Sequence, residues 1–293
     1  MTLLIKNFLK KNFATLYARI RTSLFSLYMK ARALKLQSFK EQTPYAFSYA
    51  GATFTIILDP KNGFIDQEIY WKGVYEEEIL DFYTKHIHKG DTFVDIGTNI
   101  GEHSLFNAKL VGETGTVISF EPIPRLFAQV KKSVELSELH NVNVVNKACG
   151  AKEEHMTIYL RDQNIGGSSL VPFLEKEGEQ EIISIVTADS ILKDYTNVDF
   201  IKIDTEGYEY EALIGLKNTL EKHKPSLLIE YSPIFYKHNQ TEEKHNGIKI
   251  LNLLESYGYS VFDLEENEKK VENLLTWGES FTKDQTNIFC TKL

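Results

Sequence analysis

A doubly wound α/β fold is what this sequence predicts, and three observations carry it. Apolar strand-like runs alternate with helix-like stretches along most of the chain, the pattern of strands joined by crossover helices. The run at residues 92–96 breaks at Gly97 and passes into a helix near Gly101, with Asn99 between the glycines. Four strand-like runs end in an acid, at Asp95, Glu121, Asp204 and Glu230. Open α/β sheets bind ligands outside the carboxyl ends of their strands. Strand ends also meet solvent, so charge can gather there without a function.

The elements follow in order. Residues 1–36 lack Pro and Gly, and their apolar residues recur at near-helical spacing, from Leu4 and Phe8 to Leu27 and Tyr28. Residues 41–50 read as a linker. A strand at 53–58 is followed by a turn at Asp59-Pro60-Lys61-Asn62-Gly63 and an acid-started helix from Tyr75 to His88. Gly90 ends that helix and delivers the chain to the run at 92–96. After the glycine turn a helix reaches about Val111. Strands at 117–121 and 142–145 flank a helix at 125–138. Further strands are expected at 156–160, 182–186, 198–204, 227–230, 259–264 and 287–290. Residues 164–170 read as a polar connector. A short helix should start at Ala188, a longer one should end near Leu220, and one at 241–257 should be capped by Gly258. Residues 265–272 read as a charged loop. This divides the chain into an extension, residues 1–40, and one domain, residues 41–293, with its core at 73–232.

Charge separates the same two parts. The 293-residue chain carries −8, but residues 1–40 hold nine Lys or Arg and no acid. Removing that +9 from −8 leaves −17 for residues 41–293. An acidic body argues against nucleic acid as a partner, because phosphate contacts need a basic surface. The basic amphipathic arm suits an anionic membrane surface, or packing on its own domain or a second subunit in a homodimer. No uncharged run in it is long enough to span a bilayer. With only Cys149 and Cys290, no disulfide framework is expected, which fits a reducing, cytoplasmic compartment, peripheral to the inner membrane face if the arm binds lipid.

The glycine turn narrows the ligand. A dinucleotide fingerprint reads G-x-G-x-x-G. Here the pattern is D-x-G-x-N-x-G, from Asp95 to Gly101. Gly97 and Gly101 permit positive φ and close ligand approach, and Asn99 tolerates the left-handed region. A carboxylate in the turn would repel a pyrophosphate but suits a ligand with an ammonium and a sulfonium. That favours S-adenosyl-L-methionine over NAD. Glu121, twenty residues after Gly101, stands where an acid grips ribose hydroxyls, and Ala148 and Cys149 are small enough to admit a flat adenine.

Asp95-Ile96-Gly97-Thr98-Asn99-Ile100-Gly101, Phe120-Glu121-Pro122 and Ile201-Lys202-Ile203-Asp204-Thr205-Glu206-Gly207-Tyr208-Glu209 occur in that order. In this the chain resembles the FkbM-type methyltransferases, over roughly residues 73–232. The resemblance implies a mostly parallel, seven-stranded sheet of the class I methyltransferase, Rossmann-like type. It implies S-adenosyl-L-methionine as methyl donor and a hydroxyl acceptor on a glycan, a glycolipid or a small molecule. It places Asp95, Gly97, Asn99 and Gly101 at the methionine portion, Glu121 at the ribose, and Ala148 and Cys149 near the adenine.

An acceptor hydroxyl must lose a proton. Asp204, Glu206 and Glu230 are the candidate catalytic groups. Two schemes stay open: Asp204 and Glu230 hold a Mg2+ that acidifies the hydroxyl, or Asp204 or Glu206 acts as the base alone. Lys202, inside a buried-type strand, needs a carboxylate or ligand partner and is placed to orient Asp204. His103 is expected to be exposed in the first helical turn, and His238 and His245 to be solvated. Tyr208 and Tyr231 are expected in core packing rather than as a wall for a sugar.

Overall fold

The structure is a computed structural model describing residues 42–60, 63–160, 168, 179–232, 246–283 and 285–292. The expected helix at 1–36, most of the connector at 164–170, and His238 and His245 lie outside these residues.

Strands β1 (Thr43–Tyr49) and β2 (Ala52–Leu58) form an antiparallel hairpin. Residues 41–50 are therefore mostly strand rather than linker. Tyr45, Phe47 and Tyr49 alternate with smaller residues at the two-residue period of a strand, and Phe47 stacks on Phe54 at 4.3 Å. Ala50 and Gly51 both take positive φ, as a tight hairpin turn requires. Helices α1 (Phe64–Lys72) and α2 (Glu77–His86) follow. Helix α1 was not expected: its buried residues are Asp66, Glu68 and Ile69, so no apolar stripe announces it.

The main sheet begins with β3 (Thr92–Ile96), α3 (Glu102–Val111), β4 (Thr116–Phe120), α4 (Pro124–Leu136) and β5 (Val142–Val145). An excursion through β6 (Ala148–Cys149), β7 (Glu154–Tyr159) and β8 (Gln180–Val186) makes a separate three-stranded sheet. After α5 (Ala188–Leu192) the chain returns as β9 (Phe200–Ile203), α6 (Glu209–Ile214), α7 (Lys217–Lys222) and β10 (Ser226–Tyr231). The expected single helix to Leu220 is thus broken at Gly215, where a Cβ would lie 2.1 Å from Gly150 O. Then come α8 (Asn246–Ser256), β11 (Ser260–Asp263), β12 (Lys269–Lys270), α9 (Leu274–Ser280) and β13 (Thr286–Thr291).

The order is β12-β11-β13-β10-β9-β3-β4-β5. The expected seven strands are all present, and two-residue β12, from the expected charged loop, adds an eighth at the edge. Strands β5, β4, β3, β9 and β10 run parallel, and β13 is antiparallel to both neighbours. All five residues of β3 are buried, as expected of a parallel strand covered on both faces. Phe93 faces one apolar layer, with Phe106 of α3 and Tyr83 of α2. Val94 and Ile96 face the other, with Ala212 and Leu213 of α6. The hairpin is bonded into the domain, since Ser137 Oγ and Ser133 Oγ accept from the N–H groups of Thr55 and Ile57, each at 2.9 Å.

Candidate functional site

Strand β3 lies between β4, which follows it, and β9, which comes much later. The sheet order reverses there, and that is where a crevice opens at strand carboxyl ends. Register brings Ile96 level with Phe120 and Ile203, so Gly97, Glu121 and Asp204 emerge side by side. The turn is pinned by backbone bonds from Gly97 N–H and Thr98 N–H to Phe120 O, at 3.1 and 3.0 Å. Gly97 has φ +86°, and a Cβ on it would lie 1.7 Å from Asp204 O. Asn99 holds φ +55°, as expected for its place in the turn.

A cleft opens here, at the carboxyl ends of the strands. Gly97, Asn99, Glu121, Ala148, Cys149, Asp204, Glu206 and Glu230 all line it. Its lining includes five acids, Glu76, Glu121, Asp204, Glu206 and Glu230, and among the described residues no lysine or arginine.

Asp95 and Gly101 are placed otherwise than expected. Asp95 is fully buried. Its Oδ2 accepts from Ser104 Oγ at 2.6 Å, and its Oδ1 lies 3.5 Å from Lys202 Nζ. The carboxylate therefore faces helix α3 behind the turn and not the cleft, because Asp95 shares the strand face of Phe93. Gly101 does not line the cleft either. A Cβ there would press on Val130 of α4 at 3.1 Å, and its φ is +94°, so this glycine serves helix packing and the turn.

Glu121 accepts two backbone N–H bonds, from Asn99 to Oε2 at 2.8 Å and from Ile123 to Oε1 at 2.9 Å. Burial pushes its pKa up to about 8, against the lowering effect of those bonds. Lys202 Nζ lies 3.2 Å from Asp204 Oδ2 and 3.2 Å from Gly97 O. Burial pulls its pKa down, but Asp204 and Asp95 outweigh that and keep it protonated. The expected partnership of Lys202 and Asp204 is present, with Asp95 as a second carboxylate. Glu209 Oε1 accepts from Thr205 N–H, Thr205 Oγ1 and Gly207 N–H, each at 3.0 Å, which shapes the loop carrying Asp204 and Glu206. Burial, and then Asp204 and Glu206, raise Glu230 well above the usual carboxyl range. Its burial and its acidic neighbours thus disfavour the ionised form.

The Mg2+ expectation for Asp204 and Glu230 does not fit these groups. Asp204 is engaged by a lysine, burial and neighbouring acids disfavour the ionised form of Glu230, and no cluster of three His, Cys, Asp or Glu among the described residues could hold a metal ion.

Two further residues at the site were read differently in the sequence. Glu76, taken as part of an acidic helix start, precedes α2 with a left-handed φ of +49° and lines the cleft. Burial and then Asp204 raise its pKa to about 7. His103, expected to be exposed, is buried, with Nε2 3.4 Å from Glu76 Oε2 and Nδ1 3.2 Å from Tyr83 Oη. No local pattern signals either contact, since both join residues at least twenty apart. Tyr208 lines the cleft. Tyr231 is core, as expected, packed against Trp277 and Phe281. Among the described residues no helix is long and apolar enough to cross a membrane.

The sequence matches the methyltransferase FkbM domain family over residues 95–261. It is 30% identical over 135 residues to the protein-L-isoaspartate O-methyltransferase of Methanococcus aeolicus, covering 44% of this chain and 62% of that protein. It is 34% identical over 77 residues to the enzyme of that name from Methanococcus maripaludis, covering 26% of this chain and 34% of that one. The chain thus spans less than two thirds of the length of these two relatives. It is 23% identical over 183 residues to a probable cobalt-precorrin-6B C(15)-methyltransferase of Sulfolobus acidocaldarius, covering 60% and 93%. The solved structure of methyltransferase FkbM from Methylobacillus flagellatus aligns with a TM-score of 0.44 and 16% identity, over 77% of this chain and 54% of that one.

Proposed function

Because the chain belongs to the methyltransferase FkbM domain family, we propose that it is an S-adenosyl-L-methionine-dependent O-methyltransferase. Its acceptor in this reading is a hydroxyl, on a sugar of a glycan or glycolipid. The observation that carries the donor is the acid surplus of the cleft. A sulfonium and an ammonium gain from such a lining and draw Glu76 and Glu121, whose pKa values burial raises to about 7 and 8, toward their ionised forms, whereas the pyrophosphate of a dinucleotide would be repelled. Glu121 fits the ribose: its two oxygens accept backbone N–H groups from Asn99 and Ile123, and in either protonation state an O–H or a lone pair remains for a ribose hydroxyl. Ala148 and Cys149 leave room for the adenine, and Gly97 and Asn99 form the turn beside the methionine portion.

The bound donor supplies a methyl group already activated on sulfur. What remains for the chain is to align the acceptor and take its proton. We assign the second task to Glu206, carried with Asp204 on the loop that Glu209 shapes. Asp204, fixed by Lys202, orients the acceptor. The rings of Tyr75 and Tyr208 in the cleft lining offer apolar faces to a sugar. No step uses a metal. We take residues 41–293 as the catalytic domain and residues 1–40 as a basic extension that holds it at an anionic membrane surface on the cytoplasmic side.

The test is incubation with methyl-labelled donor and fractionated cell extract. Label entering glycan or glycolipid, and lost in Glu206→Gln, supports the reading. Label in protein or small molecules alone overturns the acceptor class. Tight binding of S-adenosylhomocysteine with no label in any pool would favour a non-catalytic, donor-binding scaffold. Removal of residues 1–40 should abolish sedimentation with anionic vesicles, and unchanged sedimentation would refute the membrane role.

A further inference from the structure

Beside the cleft lies a smaller pocket that is continuous with it. Both spaces are bordered by Glu76, Gly97 and Asp204, while His103, Glu102 and Lys202 belong to the smaller one. Two consecutive residues at the start of α3 fasten two consecutive residues of the α1–α2 connection. Tyr75 N–H donates to Glu102 Oε1 at 2.9 Å, and His103 Nε2 lies 3.4 Å from Glu76 Oε2. Burial, and then Lys202, hold the His103 pKa well below its ordinary value, so the ring is neutral with one N–H. Burial also raises Tyr83 well above the usual phenol range, so its O–H keeps its proton and can donate to Nδ1. The tautomer with the ring hydrogen on Nε2, toward Glu76, satisfies both contacts. Glu76 sits in left-handed backbone, which a non-glycine residue holds only when its surroundings fix it.

The smaller pocket carries both signs, with Glu76 and Asp204 as acids and Lys202 as the cation. Glu102 lines it too, and its buried Oε2 has no hydrogen-bond partner among the described residues. A pocket with fixed charges of both signs and a polar atom in want of a partner suits a zwitterionic amino-acid group. Asp204 is engaged by Lys202 at 3.2 Å, whereas Glu76 faces the neutral His103. We infer that Glu76 holds the ammonium of the donor's methionine tail and that His103 is its positioning residue. This rests on the proposed donor. It moves the anchoring role from Asp95, which faces away from the cleft, to a residue outside the glycine motif.

Calorimetry with two probes tests it. S-adenosylhomocysteine carries the tail, and 5′-methylthioadenosine keeps the nucleoside without it. Glu76→Gln should weaken S-adenosylhomocysteine about tenfold or more, the range for hydrogen bonds to charged groups, and leave 5′-methylthioadenosine within about twofold. His103→Ala should show the same selectivity in smaller measure, and His103→Gln, which keeps an N–H donor, should restore it. Equal losses for both probes would mean a distorted cleft and overturn the assignment. So would unchanged S-adenosylhomocysteine binding with lost turnover, which would place Glu76 on the acceptor's proton instead. If the unmodified protein binds neither probe, the donor reading itself fails and this one with it.

Discussion

Gly97 and Asp204 meet backbone to backbone, so closely that a Cβ on Gly97 would lie 1.7 Å from the Asp204 carbonyl oxygen. The contact joins the turn after β3 to the end of β9, the two strands between which the sheet order reverses. It also sets the floor of the cleft. Gly97→Ala must therefore either part the strands or tilt the turn, and it adds the strain of a left-handed alanine. A loss on the order of 3 kcal/mol is expected from overpacking and backbone strain together, with donor-product binding abolished. Gly258→Ala is the control: φ is +77° there but nothing lies within 4 Å of a Cβ, so about 1 kcal/mol should be lost and binding kept. Urea titration and calorimetry on both variants decide it. Similar losses in the two would show that close approach at Gly97 is not what matters.

The parts of this site that are local in sequence were legible, and the parts that depend on packing were not. The turn from Gly97 to Gly101 and the acids at strand ends could be read because a strand, a break and a helix start occupy consecutive residues. Eight of the ten residues that the sequence nominated line the cleft. The direction of Asp95 was misjudged, although two-residue alternation puts it on the face of Phe93, toward α3. Glu76 and His103 were missed as site residues because their meeting depends on how α2 and α3 pack. Strand β1 was hidden by its position after the basic arm, and α1 by acids on its buried side.

Lys202 should be worth more to the fold than its charge alone suggests. It is 7% exposed and lies within 3.5 Å of two carboxylates, one of them fully buried. Lys202→Met keeps the side chain's bulk but leaves Asp95 with an uncompensated buried charge. Breaking one side of a buried pair costs about 3–5 kcal/mol. The double variant Lys202→Met, Asp95→Asn removes both charges and should recover a large part of that loss, although Asn keeps only one acceptor for Ser104 Oγ. Denaturant midpoints of the two variants check this. A double variant no more stable than Lys202→Met would show that the lysine's contribution is packing.

Metal removal is expected to leave turnover unchanged. Of the two carboxylates considered as ligands, Asp204 is engaged by Lys202, and burial and neighbouring acids disfavour the ionised form of Glu230. Dialysis against a chelator followed by assay without added metal is the measurement. A loss of activity restored by Mg2+ would show that acceptor binding rearranges these groups. Asp204→Asn would then abolish the Mg2+ dependence along with the activity.

The pH dependence of stability follows from Glu121. Its pKa in the folded protein is about 8, against an ordinary value of 4.5, with burial as the main cause. Between those values the folded state holds a proton that the unfolded chain has released. Stability from this group is therefore complete below about pH 4.5 and is lost as pH rises through 8. Each unit of displacement corresponds to about 1.4 kcal/mol, so the loss across this window is on the order of a few kcal/mol. Glu121→Gln cannot ionise and should flatten the fall between pH 5 and pH 8. Below about pH 5 it should be less stable than the unmodified protein by about 1 kcal/mol, because its NH2 faces one of the backbone N–H groups that the acid accepts, and above pH 8 the order should reverse. Urea unfolding at several pH values separates the offset from the slope. An unchanged slope would mean that another buried acid, Glu102 or Glu230, governs the titration.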